Sequence, residues 1–410
     1  MKDSGISWVG EIPKKWSVWR NKYIFKITKD IVLPSKNYQL LSLTTTGIKE
    51  KDENDNGGKV PENYDGYQIV KENDLVMCLF DLDCSAVFSG LSPYNGMISP
   101  AYKVLKVKKR IANEQYYRYW FNYVGSKRFY KQYSKSLRFT LNADEFNRLF
   151  SLLPPLDEQQ RIAEFLDREC GKIDGLKADI QAQIDTLEQY KRSVITEAVT
   201  HGLNPSAPMK DSGIPWVGKT PEYWKVGRIG GLYELRNQKV SDKDFMPLSV
   251  TMKGILPQLE TAAKTNDGDN RKLVRVGDFA INSRSDRRGS CGISDYDGSV
   301  SLINTILKPR NRMNAKYYNW LFHTPMFADE FYKWGHGIVD DLWTTNWSEM
   351  KRISIPLPPI DEQQEIADYL DNKCAEIEQI IADKKSQIET LDGFKKSLIY
   401  EYVTGKKEVG

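Results

Sequence analysis

Charged and polar side chains of this 410-residue chain cluster in short segments that lie between apolar, strand-like stretches. The densest cluster is the 284–288 segment, which places three arginines within five residues. Arginine can bind guanine O6 and N7 with two hydrogen bonds, aspartate can accept from cytosine N4, and threonine or phenylalanine can contact the thymine methyl group. These side chains therefore suit the reading of base edges in duplex DNA.

Candidate base-reading positions fall into two sets, one in each half of the chain. The first set is Thr44, Thr45, Thr46, Lys49, Phe80, Asp81, Asp83, Lys135, Arg138 and Phe139. The second set is Thr251, Met252, Lys253, Arg284, Asp286, Arg287, Arg288, Asp341 and Trp343. A solvated loop with an internal salt bridge is the alternative interpretation at each single position, and only the 284–288 loop stands well above it. A further run suits phosphate contacts, which position a protein without specifying sequence: Lys103, Lys106, Lys108, Lys109 and Arg110.

One segment matches the phosphate-binding pattern of nucleotide hydrolases by its letters alone. GIPWVGKT at residues 213–220 fits GxxxxGK[ST], but that loop requires a buried strand before it and a helix after it. HGLNPSAPMKDS precedes the segment, and the related residues 5–12 carry Glu11 where the phosphate-binding lysine would lie. Nucleotide hydrolysis, which would make Lys219 essential, is therefore disfavoured. Without a visible Ser/His/Asp grouping or a GxGxxG motif at a strand end, no catalytic residue and no cofactor are predicted.

Cysteine usage and hydropathy limit the class of protein. The five cysteines are an odd number without CxxC spacing and the three histidines are scattered, so no zinc site is predicted. No run of eighteen apolar residues occurs, and the opening MKDSGISW does not resemble a signal peptide. These features predict a soluble, unexported protein of the reducing cytoplasm.

The chain repeats itself. KDSGISWVGEIPKKWSVWR at residues 2–20 returns as KDSGIPWVGKTPEYWKVGR at 210–228, and PPLDEQQRIAEFLDREC at 154–170 returns as PPIDEQQEIADYLDNKC at 358–374. Weaker matches lie between them, such as LSLTTTGI with LSVTMKGI and YNGMIS with YDGSVS. The order predicts a domain (1–153), a tail (154–203), a second domain (204–357) and a second tail (358–410).

Both tails are predicted to be long helices with one narrow apolar stripe. In the first tail the stripe is formed by Ile162, Leu166, Ile173, Leu176, Ile180, Ile184, Leu187, Tyr190 and Val194. In the second it is formed by Ile366, Leu370, Ile377, Ile380, Ile388, Leu391, Phe394 and Leu398, and Lys384 interrupts it. A stripe this narrow is typical of a coiled coil, and the other tail of the chain is the simplest partner, in an antiparallel pair. Local distortion is expected at Lys384 and at Gly171 and Gly175.

Charge alternates between domains and tails. The first domain carries 24 Lys and Arg against 16 Asp and Glu, and the first tail carries 6 against 10. The second domain carries 22 against 17, and the second tail 7 against 12. A polyanion should therefore meet the domains rather than the tails. Apolar alternations beside one aromatic-rich stretch in each domain indicate a mixed α+β fold with a mostly antiparallel sheet, in which the aromatic residues form the core.

The full order of motifs closely resembles the DNA specificity subunit of type I restriction-modification systems. The resemblance covers the whole chain and rests on the paired MKDSG and PPxDEQQ segments, the heptad tails and endings such as KRSVITEAVTHGL and KKSLIYEYVTGK. It implies two mixed α/β target recognition domains, related by an internal pseudo-twofold repeat and separated by two long antiparallel coiled-coil helices. Each domain would read one half of a split, asymmetric DNA sequence. The length of the helices would set the number of base pairs between the two half-sites.

The resemblance also implies partners. Family members are not enzymes. Two adenine methyltransferase subunits, which bring S-adenosylmethionine, dock on the helices, and restriction subunits complete the full complex. The PPxDEQQ segments would mark where each recognition domain joins its helix. A bivalent coiled-coil adaptor between two proteins, without DNA specificity, is the alternative, and the alternating charge argues against it.

Overall fold

The structure, a computed structural model, describes residues 1–32, 38–51, 64, 66–258, 268–284, 287–310, 313–337 and 343–409. The chain forms two compact units. Unit 1 comprises Met1–Ile180 and Ser386–Gly410, and unit 2 comprises Gln181–Lys385. Each unit therefore combines a strand-rich part with portions of two long helices.

The first half of the chain contains short strands, three short helices and a long helix. The strands are β1 (Lys2–Asp3), β2 (Glu11–Ile12), β3 (Ser17–Arg20), β4 (Phe25–Thr28), β5 (Leu41–Thr44), β6 (Gly47–Glu50), β7 (Gln68–Val70), β8 (Leu75–Met77), β9 (Ser89–Leu91), β10 (Gly96–Ile98), β11 (Lys103–Val107) and β12 (Phe150–Leu153). The helices are α1 (Asn21–Ile24), α2 (Glu114–Ser126), α3 (Ala143–Arg148) and the long α4 (Leu156–His201), and a 3-10 helix spans Phe129–Tyr133.

The second half follows a similar order. Its strands are β13 (Met209–Ile214), β14 (Gly218–Pro221), β15 (Lys225–Arg228), β16 (Tyr233–Leu235), β17 (Lys239–Val240), β18 (Leu248–Thr251), β19 (Gly254–Pro257), β20 (Arg271–Val274), β21 (Phe279–Asn282), β22 (Cys291–Ile293), β23 (Gly298–Val300), β24 (Asn304–Pro309) and β25 (Ser354–Leu357). Its helices are α5 (Ile229–Leu232), α6 (Ala315–Phe322), α7 (Pro325–Lys333), α8 (Trp347–Met350) and the long α9 (Ile360–Val403).

Both units contain a four-stranded sheet with the same strand order. The order is β4-β11-β8-β9 in unit 1 and β16-β24-β21-β22 in unit 2. Every ladder between described strands is antiparallel. The predicted mixed fold with an antiparallel sheet is confirmed, and the sequence repeat is also a repeat of topology.

The aromatic-rich stretches form the core, as predicted. In α2, Tyr116, Tyr117, Trp120 and Phe121 are fully buried, and the Asn113 side chain caps the helix by accepting the Tyr116 N–H at 2.9 Å. The equivalent α6 of unit 2 is capped by Asn314 in the same way and buries its own aromatic residues, Tyr317, Tyr318 and Phe322. These rings stabilise the domains by removing a large apolar area from water, so they are not free to stack on bases.

The segment that matches the phosphate-binding pattern is a β-hairpin. Residues 213–220 span the end of β13, a turn and most of β14, which pair antiparallel. A phosphate-binding loop needs a helix N-terminus directly after the glycines, and here a second strand follows. The structural context for nucleotide binding is therefore missing at Lys219.

The two long helices run antiparallel within each unit. In unit 1, Lys177 pairs with Asp392, and Lys395 Nζ lies 2.7 Å from both carboxylate oxygens of Asp174. In unit 2, Lys191 pairs with Glu378 and Lys384 Nζ donates to Gln183 Oε1 at 2.5 Å. The residue numbers of the paired positions rise along α4 as they fall along α9, so the two helices are antiparallel. Neither helix is interrupted at Lys384, Gly171 or Gly175, where local distortion was expected.

Four residues of the predicted apolar stripes are exposed, which corrects the sequence interpretation. Leu176 and Phe394 in unit 1, and Ile380 and Tyr190 in unit 2, each leave between 45 and 57% of their surface accessible to solvent. Leu166, Ile173, Leu370 and Ile377 are buried as predicted. A straight helix drifts about 20° per heptad against a 3.5-residue repeat, so flanking members of a stripe rotate away from the contact.

The repeated glutamine of each PPxDEQQ segment joins the helix to its domain. Gln159, at 0% exposure, donates from Nε2 to Pro154 O at 2.8 Å and Ile111 O at 2.9 Å, and accepts the Asn113 N–H at 2.9 Å. In unit 2, Gln363 donates to the Pro358 carbonyl and accepts the backbone N–H of the α6 cap residue. The sequence marked this place as the junction, and the structure shows its chemistry: one amide satisfies buried backbone groups from two elements.

A second repeated contact lies about two turns further along each long helix. Tyr119 of α2 donates its hydroxyl to Asp167 Oδ1 at 2.7 Å in unit 1, and Trp320 of α6 donates its indole N–H to Asp371 Oδ1 at 2.9 Å in unit 2. Burial raises the pKa of Tyr119 above its ordinary value, so the hydroxyl keeps its proton and can donate. Different donors thus hold the same orientation of helix and domain.

Candidate nucleic-acid interface

The first group of predicted base-reading residues lies at the tip of the β5–β6 hairpin in unit 1. Thr44 Oγ1 donates to Gly47 O at 2.8 Å and accepts the Thr46 N–H at 3.2 Å, which closes the turn. Gly47 has φ +114°, a conformation that side-chain-bearing residues rarely adopt. Thr45, Thr46 and Lys49 are exposed. The hairpin therefore presents two threonines and a lysine on a fixed turn.

Unit 2 repeats this turn with other residues at its tip. Thr251 Oγ1 donates to Gly254 O at 2.9 Å and accepts the Lys253 N–H at 3.1 Å, and Gly254 has φ +100°. Met252 and Lys253 are exposed. The same hairpin scaffold thus carries Thr-Thr in one unit and Met-Lys in the other, so its chemistry differs while its geometry is kept.

The repeated YNG (residues 94–96) and YDG (296–298) segments each place a glycine against the backbone that leads into the hairpin. In unit 1 the Met97 N–H donates to Gln39 O, just before β5, at 2.8 Å. In unit 2 the Ser299 N–H donates to Met246 O, just before β18, also at 2.8 Å. A Cβ on Gly96 would lie 2.3 Å from Gln39 O, and one on Gly298 would lie 2.6 Å from Met246 O. Only glycine permits this approach, which fixes the start of each hairpin.

Two loops of unit 1 meet and bring the remaining candidates of the first set together. Asp81 accepts from Arg138 Nε at 3.2 Å and Nη2 at 3.1 Å, and the Asp81 N–H donates to Arg138 O at 3.1 Å. Phe139 lies beside them, with Lys131 Nζ 4.5 Å from its ring centre. Arg138 and Lys135 are exposed. An exposed ion pair contributes little to stability, so the guanidinium can exchange its carboxylate for DNA.

Two predicted residues of this region are less available. Phe80 is half-buried and its ring centre lies 5.8 Å from that of Tyr102, against a small apolar cluster of unit 1. Asp83 is half-exposed in the turn that follows. Phe80 therefore supports the loop more than it contributes a free surface.

The arginine loop of unit 2 follows β21. The Arg284 N–H donates to Asn282 Oδ1 at 3.0 Å, and Arg284 forms an antiparallel bridge with Thr344. These contacts fix the start of the loop at its base. The backbone of the half-buried Arg284 is therefore fixed by the domain before any DNA binds.

Arg287 and Arg288 lie further out and are exposed. Arg288 pairs with Asp329, and its guanidinium carbon lies 5.4 Å from the ring centre of Tyr332. Stacking on an aromatic ring orients a guanidinium without using up its donors. The loop therefore holds one arginine in a preferred direction, which suits bidentate contact with a base or phosphate.

The remaining candidates of the second set are Trp343, Asp286 and Asp341. Trp343 is half-buried and donates its indole N–H to Tyr332 O at 2.7 Å. Since tryptophan has no other hydrogen-bonding group, it can touch DNA only through its ring. Asp286 and Asp341 lie outside the described residues.

The basic run along β11 is partly engaged inside unit 1. Lys108 Nζ donates to Lys22 O at 3.0 Å, Lys106 lies 3.8 Å from an Asp30 oxygen, and Lys109 lies 3.7 Å from a Glu114 oxygen. These surface pairs are weak and screened by salt. The run can still supply positive charge, although it is not a row of unpaired cations.

In unit 2 the buried Cys291 lies beside the partly buried His323. Cys291 Sγ lies 3.7 Å from His323 Nε2 in unit 2. Burial raises the pKa of Cys291 and lowers that of His323, so the thiol stays protonated and the imidazole neutral. Such a thiol is not an activated nucleophile. No group of three His, Cys, Asp or Glu side chains in the described part of the chain is arranged to hold a metal ion.

None of the helices within the described ranges is both long and apolar enough to cross a bilayer.

Comparison with known proteins bears directly on this arrangement. Residues 221–390 match the family model of the type I restriction modification DNA specificity domain. A putative type I restriction enzyme MjaX specificity subunit of Methanocaldococcus jannaschii is 23% identical, over 98% of this chain and 96% of its own. These two matches support the predicted resemblance to type I restriction-modification specificity subunits. The type I restriction enzyme MjaVIII specificity subunit of the same organism is also 23% identical, over 83% of this chain and 80% of its own.

Solved structures agree on the fold. A chain from a study of complex assembly and conformational transition of the type I R-M system matches with a TM-score of 0.69, at 14% identity, over 97% of this chain and all of that one. The HsdS subunit from Thermoanaerobacter tengcongensis matches with a TM-score of 0.53, at 15% identity, over 97% and 98% of the two chains. The chain thus has the predicted fold class of two mixed α/β domains with long coiled-coil helices.

Proposed function

We propose that this chain is the specificity subunit, the non-catalytic DNA-reading component, of a type I restriction-modification complex. Its recognition domains, residues 1–153 and 204–357, each read one half of a bipartite, asymmetric target. Residues 154–203 and 358–410 form the helical spacer. The observation that carries the proposal is the repeated hairpin turn, closed in the same way by Thr44 and Thr251, with different residues exposed at its tip.

Conserving a turn while changing its tip is what two readers of different sequences require. Thr45 and Thr46 offer methyl groups and hydroxyls, which suit thymine or mixed contacts, whereas Met252 and Lys253 offer an apolar group and a cation. The ion-paired arginines at the loops, Arg138 and Arg288, add groups able to contact guanine or phosphate. The alternative, a protein adaptor without DNA specificity, has no support in the comparisons.

The methylating and cleaving activities are proposed to reside in separate subunits. Two copies of a methyltransferase subunit would dock on the helices, one on each unit, and restriction subunits would join the full complex on duplex DNA. The exposed apolar residues of the helices support this: unit 1 presents Leu176 and Phe394, and unit 2 presents Ile380 and Tyr190 at the equivalent repeat positions. Two equivalent apolar surfaces on acidic helices suit two copies of one protein better than DNA phosphate.

The proposal is tested by titrating labelled duplex DNA with the full-length subunit, alone and with its methyltransferase subunit. In the complex we expect the target duplex to bind at least about 10³-fold more tightly than a shuffled duplex, with affinity falling steeply as salt rises. Equal affinity for both duplexes, with little dependence on salt, would leave the adaptor function as the better account.

A further inference from the structure

A fully exposed leucine lies at the centre of the basic loop of unit 1. Leu137 is 100% accessible to solvent, between Lys135 and Arg138 in the segment that follows the 3-10 helix. Single exposed leucines are common on protein surfaces and need no explanation by themselves. This one is different because the loop that carries it is held in place by the rest of the unit.

Hydrogen bonds close the loop upon itself on both sides of Leu137. Ser134 Oγ donates to Thr140 O at 2.9 Å, the Thr140 N–H donates to Ser136 Oγ at 2.7 Å, and the Phe139 N–H donates to Ser136 O at 3.0 Å. The tip is therefore a fixed structure in which the leucine side chain has no neighbour to pack on.

A second set of bonds ties this loop to the one after β8. The Leu82 N–H donates to Phe139 O at 3.2 Å and the Leu141 N–H donates to Leu79 O at 2.8 Å, in addition to the Asp81–Arg138 ion pair. Loops anchored in this way lose little entropy when a ligand binds, so the position of Leu137 is prepared in advance.

The backbone beneath the leucine is strained. Asp81 has φ +50° and Phe139 has φ +46°, and Arg128, before the 3-10 helix, has φ +53°. Residues with side chains adopt this conformation at a cost, and such residues cluster at functional sites. The loop is therefore held in a conformation with strained backbone, although its apolar tip contributes nothing to the core.

The charge around Leu137 identifies the class of ligand. Lys127, Arg128, Lys131 and Lys135 are exposed, and no Asp or Glu occurs in sequence between Glu114 and Asp144. Of the neighbouring carboxylates, Asp81 is already paired with Arg138. A cationic surface with one central apolar group complements nucleic acid, where phosphates surround base edges, better than an apolar protein surface.

We propose that Leu137 is a specificity-determining residue that contacts the 5-methyl group of a thymine in the half-site read by the first recognition domain. The proposal rests on the DNA-reading function proposed above. The leucine side chain would cover the methyl group in the major groove while the flanking cations hold phosphates on either side.

The test uses the full-length subunit in complex with its methyltransferase subunit and a duplex carrying the mapped target. Each thymine of the first half-site is replaced in turn by deoxyuridine, which lacks only the methyl group. A thymine is present because a half-site that is methylated on adenine pairs that adenine with thymine. We expect one replacement to weaken wild-type binding by about three- to tenfold, since roughly one methyl group is lost from the contact.

The variants separate this contact from general DNA binding. Leu137→Ala should bind the thymine and deoxyuridine duplexes alike, with the wild-type melting temperature because the side chain is fully exposed. Lys135→Ala, in contrast, should weaken binding to both duplexes equally and lower the slope of log affinity against log salt by about one.

The possible failures are distinct. Leu137→Ala with the full wild-type discrimination between the two duplexes would overturn the assignment. Equal weakening by Leu137→Ala on both duplexes, with wild-type binding indifferent to deoxyuridine, would also overturn it and indicate insertion between bases. A wild-type complex that does not distinguish its target from shuffled DNA would instead refute the proposed function itself.

Discussion

Replacing Gln159 with leucine should lower the free energy of unfolding of unit 1 by about 3–5 kcal/mol. The amide satisfies the Asn113 N–H and the carbonyls of Ile111 and Pro154, all within 2.9 Å. Leucine has a similar volume but leaves these three backbone groups, one buried and two partly buried, without this partner. Each costs about 1–3 kcal/mol when it is buried and unsatisfied. Thermal and urea denaturation followed by circular dichroism measure the change.

The neighbouring glutamine is the matched control. Gln160 is exposed, and its amide donates to Glu164 on the same helix at 2.9 Å. Gln160→Leu should therefore change stability by less than about 0.5 kcal/mol. If both variants were equally stable, or equally destabilised, the joint would not depend on the buried amide. Gln363→Leu should reproduce the effect in unit 2.

The second large effect concerns two aspartates at equivalent repeat positions. Asp278, which is 2% exposed, accepts from Arg236 Nε at 2.5 Å and Nη2 at 3.0 Å. Its counterpart Asp74 is also buried but has Thr28 where unit 2 has Arg236, and it accepts the Lys71 N–H at 2.9 Å. Asp278→Asn should cost roughly 2–3 kcal/mol because a buried ion pair is broken, whereas Asp74→Asn should cost nothing at neutral pH.

The contribution of Asp74 to stability depends on pH with a definite sign. Burial raises the pKa of Asp74 above its ordinary value of 3.8. The folded state therefore binds the proton more tightly than the unfolded state, and wild-type stability falls as pH rises from 3.8 through the raised pKa. Asp74→Asn should be more stable than wild type at neutral pH, and this advantage should disappear below pH 3.8. Urea denaturation at several pH values measures it, and an advantage that grows on acidification would contradict the assignment.

Much of the fold was accessible from the sequence because its signals are periodic or duplicated. The PPxDEQQ segments and the regularly spaced apolar residues, such as Leu166 and Leu370, predicted the two long helices, and both leucines are buried. Helical spacing also predicted that Tyr116 and Trp120 form part of the core, where they are fully buried. The Glu11 copy indicated that GIPWVGKT does not bind phosphate, and the segment is a hairpin. Periodic and duplicated patterns of this kind indicate which side of a helix or strand is buried, and that can be read from the local sequence alone.

The remaining features depend on contacts that leave no local signal. Leu176 and Phe394 continue an apolar stripe, yet the drift of a straight helix exposes them. The hydrogen bond that occupies the indole of Trp343 joins residues eleven positions apart, and Leu137 stands out only once its complete exposure is seen. The repeated PPxDEQQ segment marked the junction in which Gln159 lies, although neither the role of Gln159 nor the backbone groups that it satisfies could be inferred from sequence.

The central claim, two independent readers of one split DNA sequence, is tested most directly by mapping N6-methyladenine across a host genome. The subunit is expressed with its methyltransferase subunit, and residues 1–150 or 210–355 are exchanged for those of another specificity subunit. We expect a two-part motif with a fixed gap, of which one half changes with the first exchange and only the other half with the second. Methylation that does not depend on this chain, or both halves changing with a single exchange, would contradict the account.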